Sequence, residues 1–294
     1  MRFGVGAVNS LAIEGAAAMR EYARAADDLG FDFLTLIDHV VTAYPAADGT
    51  SRFHYPTRTP YDDIMVVLGY LAGVTERIRL RTAVVILPLR GPVVVAKQAA
   101  AADLLSGGRV DLGVGIGSQE AEYGTLGVPW RERGRRLDEG IAVMKELWTK
   151  DRVSFSGEFY TIDDMAMEQK PAQQPHPPLW FGGTVPAAWR RTVDHGAGWQ
   201  ARPVQTIDEI AASWVEIRSM AEGAGRDPGE LRMQATVALG PERPTAGIVE
   251  AIRSLQAAGA TDISLTTSYQ PGLDTAADHL GQLERARREI VPEF

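Results

Sequence analysis

Short apolar runs alternate with amphipathic stretches along most of the chain, and this alternation predicts the fold. The run 2–8, RFGVGAV, reads as a first strand. A helix follows with Tyr22, Ala25, Ala26 and Leu29 at helical spacing, closed by Gly30 as a C-terminal glycine closes one. The same reading gives strand 31–37, helix 62–74, strand 78–86, helix 92–106 opening near Pro92, strand 109–117 and helix 131–149. Leu137, Ile141, Met144, Leu147 and Trp148 form the inner face of that last helix. The rhythm then breaks. Residues 151–162 read as a hairpin around Ser156-Gly157, and 163–178 as an irregular stretch rich in Pro and Gln. It resumes with strand 179–182, helix 186–195, strand 198–202, helix 206–223, strand 231–238, helix 245–258, strand 262–267 and helix 274–290. Thr206 and Glu209 have capping-box spacing, and Ile248, Val249, Ile252 and Leu255 mark a buried helix face.

Eight strands alternating with helices predict a (β/α)8 TIM barrel, with a doubly wound open sheet as the alternative. The hairpin and the Pro-rich stretch, residues 150–178, read as an insertion between strands four and five. We expect a single barrel domain over residues 1–294.

Composition narrows the chemistry. The chain has no cysteine, which excludes disulfides, thiolate metal sites and thiol nucleophiles. Its net charge of -8 argues against general affinity for nucleic acid or anionic membrane, while leaving room for a small basic pocket for a phosphorylated ligand. No apolar run reaches the roughly 18 residues of a membrane span, and the N-terminus does not read as a signal peptide. A cytoplasmic protein acting on a small molecule is expected. The five histidines (His39, His54, His176, His195, His279) show no metal-ligand spacing, so no metal is expected.

A barrel carries function at the C-terminal ends of its strands. Asp38-His39 ends the second. One reading is a loop cap beside a satisfied, partly buried histidine; the other is a ligand contact and a proton-transfer group, because imidazole titrates near neutral pH. Thr82 and Ala83, near the tip of the third strand, are small enough to let a flat ligand approach the backbone. At the fourth, Gly113, Gly115 and Gly117 either keep side chains out of the mouth or form an ordinary glycine-rich turn; their spacing is not the dinucleotide fingerprint. Gly182-Gly183-Thr184 precede a helix whose N-terminal N–H groups and dipole suit an anion; the plainer reading is Thr184 as N-cap with Pro186 at N1, and both can hold at once. Four arginines in WRERGRRLDE read as a solvated face, or else Arg133 or Arg136 reaches the site or ties down the 117–130 loop. Lys97 falls in a helix and Lys170 in the insertion, which disfavours Schiff-base chemistry.

Taken in order, Asp38-His39, the stretch TAVVILPLRGPVVVAKQAAAADLLSGGRVDLGVGIG, then RGRRLDEGIAVMKELW, the SGEFY hairpin and GGT resemble the luciferase-like monooxygenase superfamily. Within it they resemble the class dependent on the deazaflavin coenzyme F420. The resemblance spans roughly residues 2 to 290 and is densest over 78–148. It implies a coenzyme ring at the barrel mouth, with Asp38 hydrogen-bonding the ring system and His39 beside the hydride-bearing carbon as proton donor or acceptor. It implies a bulge in the third strand with a non-proline cis peptide at Ala83-Val84, backing the ring. Ile116, Gly117 and Ser118 would line the ring and its ribityl chain, and Gly182, Gly183 and Thr184 would hold the phosphate. A homodimer is implied as well. Ser118 departs from the pattern: a sugar-phosphate dehydrogenase of the class has glutamate there, whereas this chain has Glu120 two residues on. That departure leans the reading toward reduction of an activated double bond. Alternatives are an FMN-dependent monooxygenase of the same superfamily, a non-catalytic flavin or deazaflavin carrier, and a phosphate-binding lyase or isomerase.

Overall fold

The computed structural model describes residues 1–6, 11–48, 50 and 59–294. Ala7 and Val8 of the expected first strand, and His54, lie outside the described residues. Eight parallel strands close into a barrel. Its wall runs through β1 (Arg2–Gly6), β2 (Phe33–Leu36), a third strand in two pieces, β3 (Arg79–Thr82) and β4 (Val85–Ile86), then β5 (Val110–Gly115). The antiparallel hairpin β6 (Val153–Ser156) and β7 (Thr161–Met165) stands outside the wall. The barrel resumes with β8 (Leu179–Gly182), β9 (Gly198–Gln200), β10 (Arg232–Ala238) and β11 (Asp262–Thr266), and β11 pairs with β1. Pairing of both β3 and β4 with β5 closes the circle, which excludes the open-sheet alternative.

The helices form the outer ring. They are α1 (Leu11–Glu14), α2 (Ala16–Asp28), α3 (Ile64–Val74), α4 (Leu87–Arg90), α5 (Pro92–Leu105), α6 (Glu120–Thr125), α7 (Arg133–Thr149), α8 (Pro186–His195), α9 (Ile207–Gly223), α10 (Thr245–Ala257) and α11 (Ala276–Glu289). Strand β5 shows how the pleat sorts side chains. Val110, Leu112 and Val114 join the apolar layer between wall and helices, while Asp111, Gly113 and Gly115 alternate with them toward the barrel interior. The helix starts follow local chemistry. Asp63 caps α3 by accepting from Met65 N and Val66 N, both at 3.0 Å. Thr206 and Glu209 form the expected capping box on α9, and Thr275 with Asp278 forms another on α11.

Three local expectations fail. The third strand is not one run over 78–86: it breaks at Ala83-Val84, where the cis peptide bond that the resemblance implies is present, and α4 begins right after β4. The 117–130 loop contains the short helix α6. At α8 the N-cap is Val185, not Thr184; Pro186 does sit at N1, and no side chain caps the helix.

Candidate active site

The third-strand break shapes the barrel mouth. A Cβ placed on Gly113 would lie 2.0 Å from Thr82 O, and one on Gly115 would lie 2.6 Å from Val84 Cγ2. The sequence reading gave these glycines the task of clearing the mouth. In the structure their missing side chains make room for the bulge, which pushes into the space a β5 side chain would fill. Two clasps hold it there. Thr82 Oγ1 donates to Gly113 O at 2.8 Å, and Gln200 Nε2 donates to Thr82 O at 3.1 Å. Gly182 ends β8 on the other side of Val84, where an added Cβ would meet Val84 Cγ1 at 3.5 Å. Gly6 ends β1 against Thr266. The rim is therefore floored by backbone and one valine, a surface that a flat ring can approach.

Asp38 and His39 are both buried on this rim. Asp38 is anchored by three donors: Arg90 Nη2 to Oδ1 at 2.6 Å, and Arg90 Nε and Ile86 N to Oδ2, each at 2.9 Å. The Ile86 bond ties the end of the second barrel strand to the third, two residues past the bulge. Arg90 also pairs with Asp63, the cap of α3, at 2.5 Å. Burial opposes the charge on Arg90, but the Asp38 and Asp63 carboxylates outweigh it and hold the guanidinium above its ordinary range. Burial pushes the Asp63 carboxyl up, and Arg90 with the capping N–H groups more than reverses this.

His39 Nδ1 lies 2.9 Å from Glu122 Oε2. The other carboxylate oxygen, Oε1, accepts from Val40 N at 2.9 Å and more distantly from Val41 N at 3.5 Å. Tyr61 meets the imidazole edge-on, with ring centroids 4.8 Å apart, and its hydroxyl lies 3.1 Å from that of Tyr269. Tyr269 has φ 60, a left-handed conformation uncommon for an aromatic residue.

Sequence reading missed Glu122, Arg90 and Tyr61. Glu120, which it singled out, is exposed, as is Ser118. Glu122, two residues on, is the carboxylate that reaches His39, so the absence of a glutamate at 118 does not leave the histidine without an acid. Ile116 and Gly117 are half-buried where the chain leaves β5; Ile116 O accepts from Tyr123, and Gly117 has φ 65. Gly182, Gly183 and Thr184 are half-buried ahead of the uncapped start of α8. Gly183 has φ 130, a Cβ on it would lie 2.7 Å from Ala188 Cβ, and its carbonyl accepts from Trp199 Nε1 at 2.9 Å. Arg133 ties down its loop: it donates to Trp130 O at 2.7 Å and stacks on the Trp130 ring. Arg136 pairs with Glu132 and lies over Phe159 of the hairpin.

The other candidates lie elsewhere. His176 contacts Pro177 O within the insertion, His195 ends α8, and buried His279 contacts Thr267. Among the described residues no cluster of acids and histidines is arranged to hold a metal ion. No described helix is long and apolar enough to cross a membrane. Lys170 Nζ donates to Leu147 O and Lys150 O, pinning the insertion to the end of α7, and Lys97 is exposed on α5. A cavity of about 650 Å³ opens at the opposite, N-terminal end of the barrel, lined in part by Arg2, Arg79, Asp111, Trp180 and Arg232.

With this geometry in place, comparison with known proteins identifies the class. The family of luciferase-like monooxygenases matches residues 1–289, and the chain belongs to it. An F420-dependent glucose-6-phosphate dehydrogenase from Microbacterium testaceum is 31% identical over 228 residues, covering 75% of this chain and 64% of that protein. An FMNH2-dependent dimethylsulfone monooxygenase from Pseudomonas putida is 34% identical over 174 residues, covering 58% and 47%. The crystal structure of the monooxygenase RslO1 from Streptomyces bottropensis superposes with a TM-score of 0.82 at 20% identity, over 99% of both chains, and shares the fold. The family supports an oxidoreductase, and its members divide between two coenzymes.

Proposed function

We propose that this protein transfers a hydride between the deazaflavin coenzyme F420 and a small or medium-sized organic substrate, with His39 exchanging the accompanying proton. The observation that carries the reading is the bond from Ile86 N to Asp38, which holds the histidine-bearing strand end against the bulged third strand on one rim. The residues present suit the coenzyme. The bulge at Ala83-Val84, with glycines beside it, offers a flat backbone floor for a ring. Ile116, Gly117 and Ser118 follow along the rim, and the turn Gly182-Gly183-Thr184 leads into a helix start that no side chain caps, where backbone N–H groups favour a phosphate. When bound, the deazaflavin supplies hydride chemistry; the protein supplies orientation and proton management. Asp38 fixes the rim through Arg90 and Ile86, and His39 presents an imidazole at the mouth.

An FMN-dependent oxygenation is the second reading, favoured by the 34% identity to the dimethylsulfone monooxygenase. The same floor and phosphate turn suit either ring. Titration with F420 and, separately, with FMN, followed by tryptophan quenching, tests both. We expect micromolar or tighter binding of F420 and weaker binding of FMN. The reverse order replaces the proposal with the oxygenase reading, and binding of neither overturns both.

A further inference from the structure

We propose that Glu122 is a positioning residue that fixes the imidazole proton of His39 on Nδ1, leaving the lone pair of the neutral ring on Nε2. The inference deepens the assignment of His39 as the proton-exchanging group and rests on that reading for its functional meaning.

The two oxygens of Glu122 have different tasks. Oε1 is pinned by Val40 N at 2.9 Å, with Val41 N beyond it at 3.5 Å. Backbone N–H groups only donate, so this oxygen can only accept. The orientation of the carboxylate is thereby set, and Oε2 falls 2.9 Å from His39 Nδ1. An ionised carboxylate has no proton to give. A bond at that distance therefore requires the proton to sit on Nδ1; a bare Nδ1 would place lone pair against lone pair in a buried site, which is costly. Tyr61, edge-on to the imidazole, restricts the ring further. The neighbouring acid does a different job. Among the described residues the donors to the Asp38 carboxylate come from Arg90 and Ile86, so Asp38 anchors the backbone while Glu122 sets the proton.

The asymmetry makes a conservative variant informative. In Glu122→Gln the Val40 N–H holds the amide oxygen at the Oε1 position. The NH2 group then faces His39 Nδ1, which must accept, and the ring proton moves to Nε2. Shape and packing stay the same while the tautomer reverses.

The test is a long-range proton–nitrogen spectrum of the full chain labelled with 15N-histidine, with His39→Ala identifying the signals of this ring. We expect Nδ1 protonated in the unaltered protein at neutral pH and above, and the neutral ring protonated on Nε2 in Glu122→Gln. A bare Nδ1 in the unaltered protein overturns the proposal whether or not Glu122→Gln folds. The same tautomer in both proteins overturns it too. These spectra are read without coenzyme. A reversed tautomer in a protein that binds neither F420 nor FMN defeats the functional proposal alone, and an unreversed one in a protein that binds F420 defeats the Glu122 assignment alone.

Discussion

The two ends of the barrel both bury charge, and they use it differently. At the N-terminal end Arg81 is wholly buried between Asp111 and Asp262, sandwiched by the rings of Phe33 and Trp180 at 4.1 and 3.7 Å. Arg79 adds a second partner to Asp111, and Arg232 a second to Asp262. Each of these carboxylate oxygens receives two donors. At the mouth, the acids take donors mostly from backbone and from one arginine; Asp38 anchors the rim, and Glu122 contacts the histidine on it. Barrel interiors are ordinarily packed with bulky branched side chains. Here an ionic plug takes their place below, and glycines with a bulge take it above. Charge at the floor holds shape; charge at the mouth holds one ring in one orientation.

Breaking the floor should have the largest effect on stability. Arg81→Met removes the shared cation from two buried carboxylates, and we expect a loss of about 3–5 kcal/mol in urea unfolding, with coenzyme affinity at the mouth unchanged. A loss below about 1 kcal/mol would mean that Arg79 and Arg232 suffice, and would erase the distinction from the floor side. At the mouth, Gly113→Ala forces a methyl into Thr82 O. We expect about 1–3 kcal/mol of destabilisation, together with weakened coenzyme binding as the bulge shifts. Unchanged binding would separate the bulge from the ring site.

Acid should weaken the fold last and most gradually. Burial raises the Asp111 carboxyl, but Arg81 and Arg79 more than reverse this and hold it below the ordinary range. Asp27 is likewise lowered: burial acts against its charge, and the N–H groups of Glu76, Arg77 and Ile78 outweigh it. A lowered folded value means that the unfolded chain binds protons first. The stabilisation is complete above the ordinary carboxylate value of about 4 and is lost as pH falls through the lowered values. Thermal melts between pH 7 and pH 2.5 should show this decline, and Asp111→Asn should flatten it. A curve the same for both would place the acid-sensitive group elsewhere.

The barrel was legible because its signals are local. Alternating apolar runs, Gly30 after α2, the Thr206–Glu209 box and Pro186 at the start of α8 each depend on residues a few positions apart. The break in the third strand was legible only through the family resemblance, because the run AVVIL carries no interruption of its own and the glycines that make room for the bulge lie about thirty residues on. Glu122 was missed for a related reason. It lies on a six-residue helix containing Gly124, too short for a periodic signal, and its partner is 83 residues away. Arg90 falls between the expected strand 78–86 and helix 92–106, with nothing nearby in the sequence to reveal Asp38 as its target. Thr184 was expected to cap because of its type, whereas extended backbone at Val185 places the helix start one residue later.

The fit between the bulge and β5 has an evolutionary consequence. Neither side can change first: a side chain at 113 or 115 collides with the bulged strand, and straightening that strand leaves a void beside two glycines. The two segments are therefore expected to change together, with freer variation in the loops around them. Related chains that have lost the glycines should also have lost the bulge.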